Sequence, residues 1–433
     1  MSQHFPESSA QHSSRTRTVV AGAIGNLLEW YDFGLFGFFA PVIARQIMPV
    51  GDRLATLLET FGVFAAGFLM RPLGGVIFGY VGDRWGRKRA LELSVLLMAV
   101  ATTLIGLLPP HSSIGLAAPL LLTLMRLLQG LSVGGEYVGS MSFLSEHAAP
   151  ARRAFFGSWS SFSVVLGSLL GSAMAALLTG LLSEAQLLSW GWRLPFLGGV
   201  LIGVAGLWLR LGIEESPSFL QIQKTDNLAA NPIAEALRKN LSPIAITLGL
   251  AGVLSVGFYL PFVWLPTWLS QINRPLLDEG RALIANTIAL AALLALTPLA
   301  AWSSDRVGRR PMILGTALGY ALLSYPLFLL MSAGTFAGAL LGGLVFAACN
   351  SLFSGCMAAT LVELFPTRTR YSGMAIAYNV GMALLGGTAP LAATGLIRLT
   401  GDVLAPAYYL IGAGAVTGVA CLFVPPRHGQ PLD

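Results

Sequence analysis

The chain has 433 residues, of which 55% are hydrophobic and only 11% charged, with a formal net charge of +6. Soluble globular proteins carry about 25% charged residues, so a soluble fold of this size would lack the charge to cover its surface. The apolar runs are continuous rather than alternating with period two, which excludes a transmembrane β-barrel, and the basic excess sits in loops, where it sets topology and gives no reason to invoke nucleic acid.

Residues 1–17 are polar, with His4, His12, Arg15 and Arg17, and the first apolar run is too long and too charged for a cleavable signal peptide. From there the pattern predicts twelve spans, at about 18–45, 55–81, 90–109, 115–147, 155–181, 191–212, 241–270, 281–302, 311–332, 335–363, 371–397 and 404–424. Stretches such as 91–108 and 312–331 reach the roughly 20 residues needed to cross a bilayer. With no water to satisfy the backbone, they must be helices, so the expectation is an all-α membrane protein. An even number of spans places both ends on one side. Most of the 26 Lys and Arg residues fall in the N-terminal tail, every second loop and the C-terminal tail, which makes that side cytoplasmic. Membrane lipid is therefore the surrounding partner.

A repeat divides the chain. Gly82-Asp83-Arg84-Trp85-Gly86-Arg87-Lys88 after span two returns as Ser304-Asp305-Arg306-Val307-Gly308-Arg309-Arg310 after span eight, and Glu146, Pro150 and Arg152 return as Glu363, Pro366 and Arg368. Motifs recurring at half the chain length imply two pseudo-symmetric six-helix bundles. The expected units are a cytoplasmic tail 1–17, a bundle 18–212, a cytoplasmic loop 213–240, a second bundle 241–424 and a tail 425–433. The repeated acids and bases suit a gate. Asp83 can accept from a nearby turn or helix N-terminus, and pairs among Asp305, Arg84, Arg87, Glu146, Arg152, Arg306, Arg309, Glu363 and Arg368 would close one side and break when it opens.

Charges within spans carry the functional signal, because an ionisable group at bilayer depth is costly unless solvated or paired. In span one, Glu29 and Asp32 flank Trp30 and Tyr31 and, three residues apart, share a helix face. Two carboxylates in a low-dielectric site resist double ionisation, so one can hold a proton near neutral pH; structural pairing with a base is the alternative. Span four supplies Arg126 and Glu136, with Gln129, Gly130, Gly134 and Gly135 between them. Arg126 cannot give up its charge and must face a carboxylate, a substrate or water. Arg71, ahead of Pro72, is a further buried cation, suited to a hinge contact or to solute. The second bundle has no such mid-span charges. Its candidates are Tyr259, Trp264, Trp268, Asn286, Tyr320, Asn350, Tyr378 and Asn379, singly packing residues, together a wall suited to a quaternary ammonium.

These segments resemble a known family. Gly25-Asn26 through Glu29-Trp30-Tyr31-Asp32-Phe33-Gly34, Arg71-Pro72-Leu73-Gly74-Gly75 leading to Gly82-Asp83-Arg84, Arg126-Leu127-Leu128-Gln129-Gly130 through Gly135-Glu136-Tyr137, and Trp190-Gly191-Trp192-Arg193 are similar to the motifs of the metabolite:proton symporter branch of the major facilitator superfamily. The resemblance covers essentially the whole chain. It implies symport in the bacterial inner membrane of compatible solutes, α-ketoglutarate, citrate or shikimate, and links Arg126 to proton coupling. Phe365-Pro366-Thr367 with Arg370-Tyr371-Ser372, and Pro406-Ala407-Tyr408-Tyr409-Leu410, look most like proline/betaine transporters, while Arg126 keeps an organic acid open. The coiled-coil tail of some osmosensing members does not follow Pro425-Pro426-Arg427.

The expectation is thus a secondary active transporter working by alternating access as a monomer. It would take up a small polar metabolite with a proton, using Asp32, Glu29, Arg126 and Glu136 for coupling. Arg126, Arg71, Tyr31, Gln129, Tyr259, Trp264, Asn350, Tyr378 and Asn379 would bind substrate. No cofactor is expected beyond the transmembrane proton gradient, with sodium coupling as a variant. A drug/proton antiporter is disfavoured because span five lacks the Gly-Pro pair of such exporters. An enzyme is disfavoured because the five histidines are scattered and no nucleophile elbow, phosphate loop or metal-ligand cluster appears; Cys349, Cys356 and Cys421 read as packing residues. A transporter-like receptor is disfavoured because no signalling domain is appended.

Overall fold

The structure, a computed structural model, describes residues 25–49, 51–85, 87–134, 136–146, 148–201, 203–204, 237–238, 240–272 and 277–432. The tail 1–17 and almost all of the loop 213–240 lie outside the described residues. Within them the chain is helical and holds no strand. Eight helices are long and apolar enough to cross a membrane, nine with one bent pair counted as a span, and two shorter apolar helices, Glu92–Leu107 and Ala405–Cys421, fall at spans three and twelve. Span six is described only in part, from Arg193–Leu197 onward to residue 204. Leucines that a soluble protein would hide point outward, among them Leu120 at 70% and Leu322 at 69% exposure. Lipid is the solvent in which that surface is tolerable.

Breaks in the spans fall where the sequence interrupts the backbone ladder. Span one bends by 62° between Gly25–Phe38 and Ala40–Ile47, with Pro41 opening the second piece, where a missing N–H does least harm. Span two restarts at Arg71 after Arg53–Leu69, because Pro72 has no N–H to offer the preceding turn. Span four divides into Ala117–Ser132 and Glu136–Glu146. Gly134 lies at this break, and a Cβ there would come within 2.1 Å of the Gly75 nitrogen, so spans two and four cross with backbone against backbone.

Span seven, Leu241–Ile272, is the central helix: 78% of its apolar window is buried, against 39–56% for the other seven. It carries three wide π turns, Gly252–Val256, Leu260–Trp264 and Trp268–Ile272. Pro261 and Pro266 remove two donors from the regular ladder, and a single wide turn accommodates each loss. Span eleven, within Arg370–Thr400, has a similar turn at Met382–Gly386.

The two halves of the chain meet along spans two, four and five on one side and eight, ten and eleven on the other. Arg153–Leu181 runs along both Glu279–Val307 and Phe336–Leu364, and Arg53–Leu69 along Ala389–Thr400. Spans three, nine and twelve pack outside this interface. The end of span three is held by Arg193, which donates to the carbonyls of Gly106, at 3.0 Å, and Leu108, closing carbonyls that a helix end leaves unpaired.

Candidate functional site

The ionisable groups that the sequence places inside spans one, two and four are buried together. Asp32 is 2% exposed and Arg126 fully enclosed. They are joined through Gln129: its Nε2 donates to Asp32 Oδ2 at 2.6 Å, and its Oε1 accepts from Arg126 Nη1 at 2.8 Å. The Thr102 hydroxyl also donates to Asp32 Oδ2. Arg126 lies over the rings of Phe33 and Phe36, each 4.5 Å away, and Phe64 at 5.3 Å, an arrangement that offsets part of the cost of burying a cation. Asp32 Oδ1 and Arg126 Nε and Nη2 have no hydrogen-bond partner among the described residues. Buried polar groups are normally satisfied, and these unused positions mark where a proton, water or solute would engage.

A second pair lies one turn away. Glu29 Oε1 is 3.6 Å from Arg71 Nη2. The Arg71 guanidinium packs on Phe68 and Trp30 at 5.5 and 5.9 Å, and its Nε donates to Asn379 Oδ1 of span eleven at 3.4 Å. Asn379 Nδ2 in turn donates to the Gly134 carbonyl at 2.6 Å.

Between the halves is a small pocket lined by residues of both. Its aromatic wall is Trp30 and Tyr137 from the N-terminal half and Phe258, Tyr259 and Tyr378 from the C-terminal half. Trp30 stacks on Tyr259 at 6.0 Å and meets Phe258 edge-on at 5.9 Å, and Tyr137 meets Tyr378 at 5.3 Å. Ser161 and Ser354 add hydroxyls to the lining. Trp30 Nε1 and the Tyr259 hydroxyl are buried without a hydrogen-bond partner among the described residues. Ring faces attract cations and free donors attract anionic oxygens, and the pocket lining brings both kinds of group together.

At the face that bears the basic loops, ion pairs tie the halves together. Glu363 of span ten accepts from Arg153 Nη1 of span five at 2.9 Å and from Arg309 Nη2 at 2.9 Å. Asp305 bonds Arg309 at 2.9 Å and also accepts from the backbone N–H groups of Ala154 and Phe155 at 2.9 and 2.8 Å. A carboxylate at the end of span eight thus caps the N-terminus of span five, where the helix dipole favours negative charge. Glu146 of span four pairs with Arg370 of span eleven at 3.0 Å.

The remaining candidates are distributed as follows. Arg152 is exposed, and its neighbour Arg153 makes the buried contacts in its place. Arg306 is exposed and lies over Trp302 at 3.4 Å, outside the inter-half pairs. The side chains of Asp83, Arg84, Arg87 and Arg368 lie outside the described residues. Glu136 is half-buried at the start of the second piece of span four, and Tyr31 is half-buried on span one. Trp264 donates to Thr394 at 2.9 Å; Asn350 donates to the Gly257 carbonyl at 3.0 Å and accepts from Ser354 at 2.8 Å. These two brace helices and do not line the pocket. Thr102, Trp30, Tyr137 and Phe258 complete the site, and Arg153 and Arg370 the closure, without having been singled out for those roles by sequence. The available signals are Thr102-Thr103 inside an apolar run and the doubled bases at 152–153 and 368–370.

Comparison with known proteins agrees with this fold. The profile of the sugar (and other) transporter family matches residues 18–247 and 270–433. The glycine betaine/proline/ectoine/pipecolic acid transporter OusA of Dickeya dadantii (strain 3937) is 34% identical over 425 residues, covering 96% of this chain and 84% of that protein. The proline/betaine transporter of Escherichia coli (strain K12) is 34% identical over 415 residues, 93% of this chain and 82% of that one. Among solved structures, the proton:xylose symporter XylE bound to 6-bromo-6-deoxy-D-glucose superposes with a TM-score of 0.77 at 18% identity, over 97% of this chain and 98% of the other, a likeness of fold. The chain is a multi-pass membrane transporter with the major facilitator fold and belongs to the sugar (and other) transporter family.

Proposed function

We propose that the chain takes up a small zwitterion of the betaine or proline type together with a proton. It would act as a monomer in a bacterial inner membrane, with its basic face and both termini cytoplasmic. The observation that carries this reading is an aromatic pocket whose Tyr259 meets Phe64, one of the rings under Arg126 of the Asp32–Gln129–Arg126 relay, in which Arg126 Nε and Nη2 are unengaged among the described residues. The relatives named as proline/betaine transporters support the substrate class, and the basic loops support the orientation.

In this mechanism the face opposite the basic loops opens first. The ring faces of Trp30, Tyr137, Phe258, Tyr259 and Tyr378 receive the ammonium end, and the unengaged donors receive the carboxylate. A proton entering with the solute neutralises Asp32, which then holds Gln129 less strongly and leaves Arg126 free to turn toward the substrate carboxylate. With charges matched inside, the halves rock and the Glu363, Asp305 and Glu146 contacts at the cytoplasmic face part. Release of solute and proton restores the relay. Neither metal nor cofactor is required; the proton gradient drives accumulation.

Proteoliposomes given an alkaline interior test this reading with labelled glycine betaine and proline. Accumulation above equilibrium is expected, rising as external pH falls and disappearing when a protonophore collapses the gradient. Accumulation driven only by a sodium gradient would overturn proton coupling. A second reading, uptake of an organic acid, is favoured by the presence of two buried arginines near one pocket. Unlabelled α-ketoglutarate, citrate or shikimate would compete under that reading and leave betaine uptake unchanged under the first.

A further inference from the structure

The Asp32 relay lies wholly within the N-terminal half, so protonating Asp32 alone does not reach the other half by any hydrogen bond it makes among the described residues. The Glu29 pair does. Arg71 touches Glu29 with Nη2 and the span-eleven residue Asn379 with Nε. Asn379 is held by both ends of its amide: Oδ1 accepts from Arg71, and Nδ2 donates to the Gly134 carbonyl. Only this amide orientation satisfies both neighbours, since guanidinium only donates and a carbonyl only accepts. The two neighbours occupy the interruptions of spans two and four, at Met70–Arg71 and at Gly134. A single side chain of the C-terminal half thus clasps two helix breaks of the N-terminal half. Just beyond it, toward the cytoplasmic face, Ser142 meets Met374 and Glu146 meets Arg370. This contact must part whenever that face opens.

We propose that Asn379 is the positioning residue through which the charge on Glu29 controls opening of the cytoplasmic face. An ionised Glu29 fixes the Arg71 guanidinium so that Nε is presented to Asn379. A neutral Glu29 releases it, the clasp loosens, and spans four and eleven separate. Glu29 faces Arg71 from span two, Tyr137 from span four, and Tyr259 and Tyr378 from the C-terminal half, with Asp32 one turn along its own helix. Arg71 is the cation in that set, so it is the group whose position responds to the carboxylate. The inference rests on the alternating-access reading and its orientation, and it assigns Asn379 to conformational coupling rather than to the solute.

The test uses the full chain with Cys349, Cys356 and Cys421 replaced by Ser and a reporter Ser142→Cys, buried between spans four and eleven in this structure. A membrane-impermeant maleimide is applied from the cytoplasmic face of inside-out vesicles, without substrate. Glu29→Gln is expected to raise the labelling rate several-fold. Asn379→Ala should raise it at least as far and remove any further effect of Glu29→Gln. Asn379→Asp keeps an acceptor for Arg71 but gives up the donor to the Gly134 carbonyl, so it should raise labelling as Ala does and yet retain an effect of Glu29→Gln. A merely structural role would give a Glu29→Gln effect of equal size in the parent, Ala and Asp backgrounds, and that outcome overturns the proposal. If the Ala variant does not insert, Asn379→Leu, close in volume and without either hydrogen bond, takes its place. The labelling needs no solute, so its failure is distinct from a failure of betaine uptake.

Discussion

The two halves of this transporter bury different chemistry. The N-terminal half holds Glu29, Asp32, Arg71 and Arg126 in its interior, all 5% exposed or less. Among the described residues the C-terminal half offers the pocket rings and hydroxyls, and its buried acid and bases, Glu363, Arg309 and Arg370, stand at the closure. The backbones differ to match. The charged half is interrupted at discrete breaks, whereas span seven accommodates its prolines with successive wide turns. The two bundles thus differ in what they bury: one encloses charge at mid-span, and the other keeps its buried charge at the closure and meets Trp30 and Tyr137 of the first with rings.

Substitutions can break that division or sharpen it. The largest effect is expected from Asp32→Asn: gradient-driven accumulation should vanish while solute counterflow persists, as measured in proteoliposomes. Unchanged accumulation would remove the driving role from the N-terminal half. Glu363→Gln leaves Arg153 without its buried ionised partner and should weaken the closed face that bears the basic loops by about 3 kcal/mol, read as faster labelling of the Ser142→Cys reporter and a lower Tm. Arg126→Lys keeps the charge but loses the planar fork. A loss of about 1.5–3 kcal/mol, the scale of one charged hydrogen bond, should appear as a raised KM that lysine does not rescue. Trp30→Leu should weaken betaine binding by about 0.5–2 kcal/mol through the lost ring face, and should spare a carboxylate-only competitor. Smallest is Trp264→Phe, which gives up the Thr394 bond at about 1 kcal/mol. Its Tm should fall and its KM should hold, separating C-terminal residues that brace from those that bind.

What could be read from sequence follows the same division. A carboxylate or guanidinium inside an apolar run is rare enough to announce itself, and Glu29, Asp32, Arg71 and Arg126 all prove to be neighbours. The helix-terminus contact read for Asp83 lies outside the described side chains, while its repeat Asp305 makes one at Ala154 and Phe155. Aromatic residues give no such signal, because a ring packs as readily against lipid or helix as against solute. Tyr259 and Tyr378 line the pocket, whereas Trp264 and Asn350 brace neighbouring helices. In Arg152-Arg153 only the helix start decides which base turns inward, and a shift of one residue moves the choice by about 100° around the axis. The wide turns of span seven were announced only by Pro261 and Pro266.

One contact joins these features mechanically. Gly167 of span five lies against the backbone of span one, where a Cβ would come within 2.3 Å of the Leu27 carbonyl, and at Gly171 a Cβ would lie 3.3 Å from the Tyr31 carbonyl. With no side chain between them, the two helices have nothing to slide on and must travel as one beam. Arg153 sits at one end of that beam and Asp32 midway along the other member. Prying the Arg153 end loose would therefore tilt Asp32 as well, so the closure at Glu363 and the surroundings of that carboxylate would change in a single stroke.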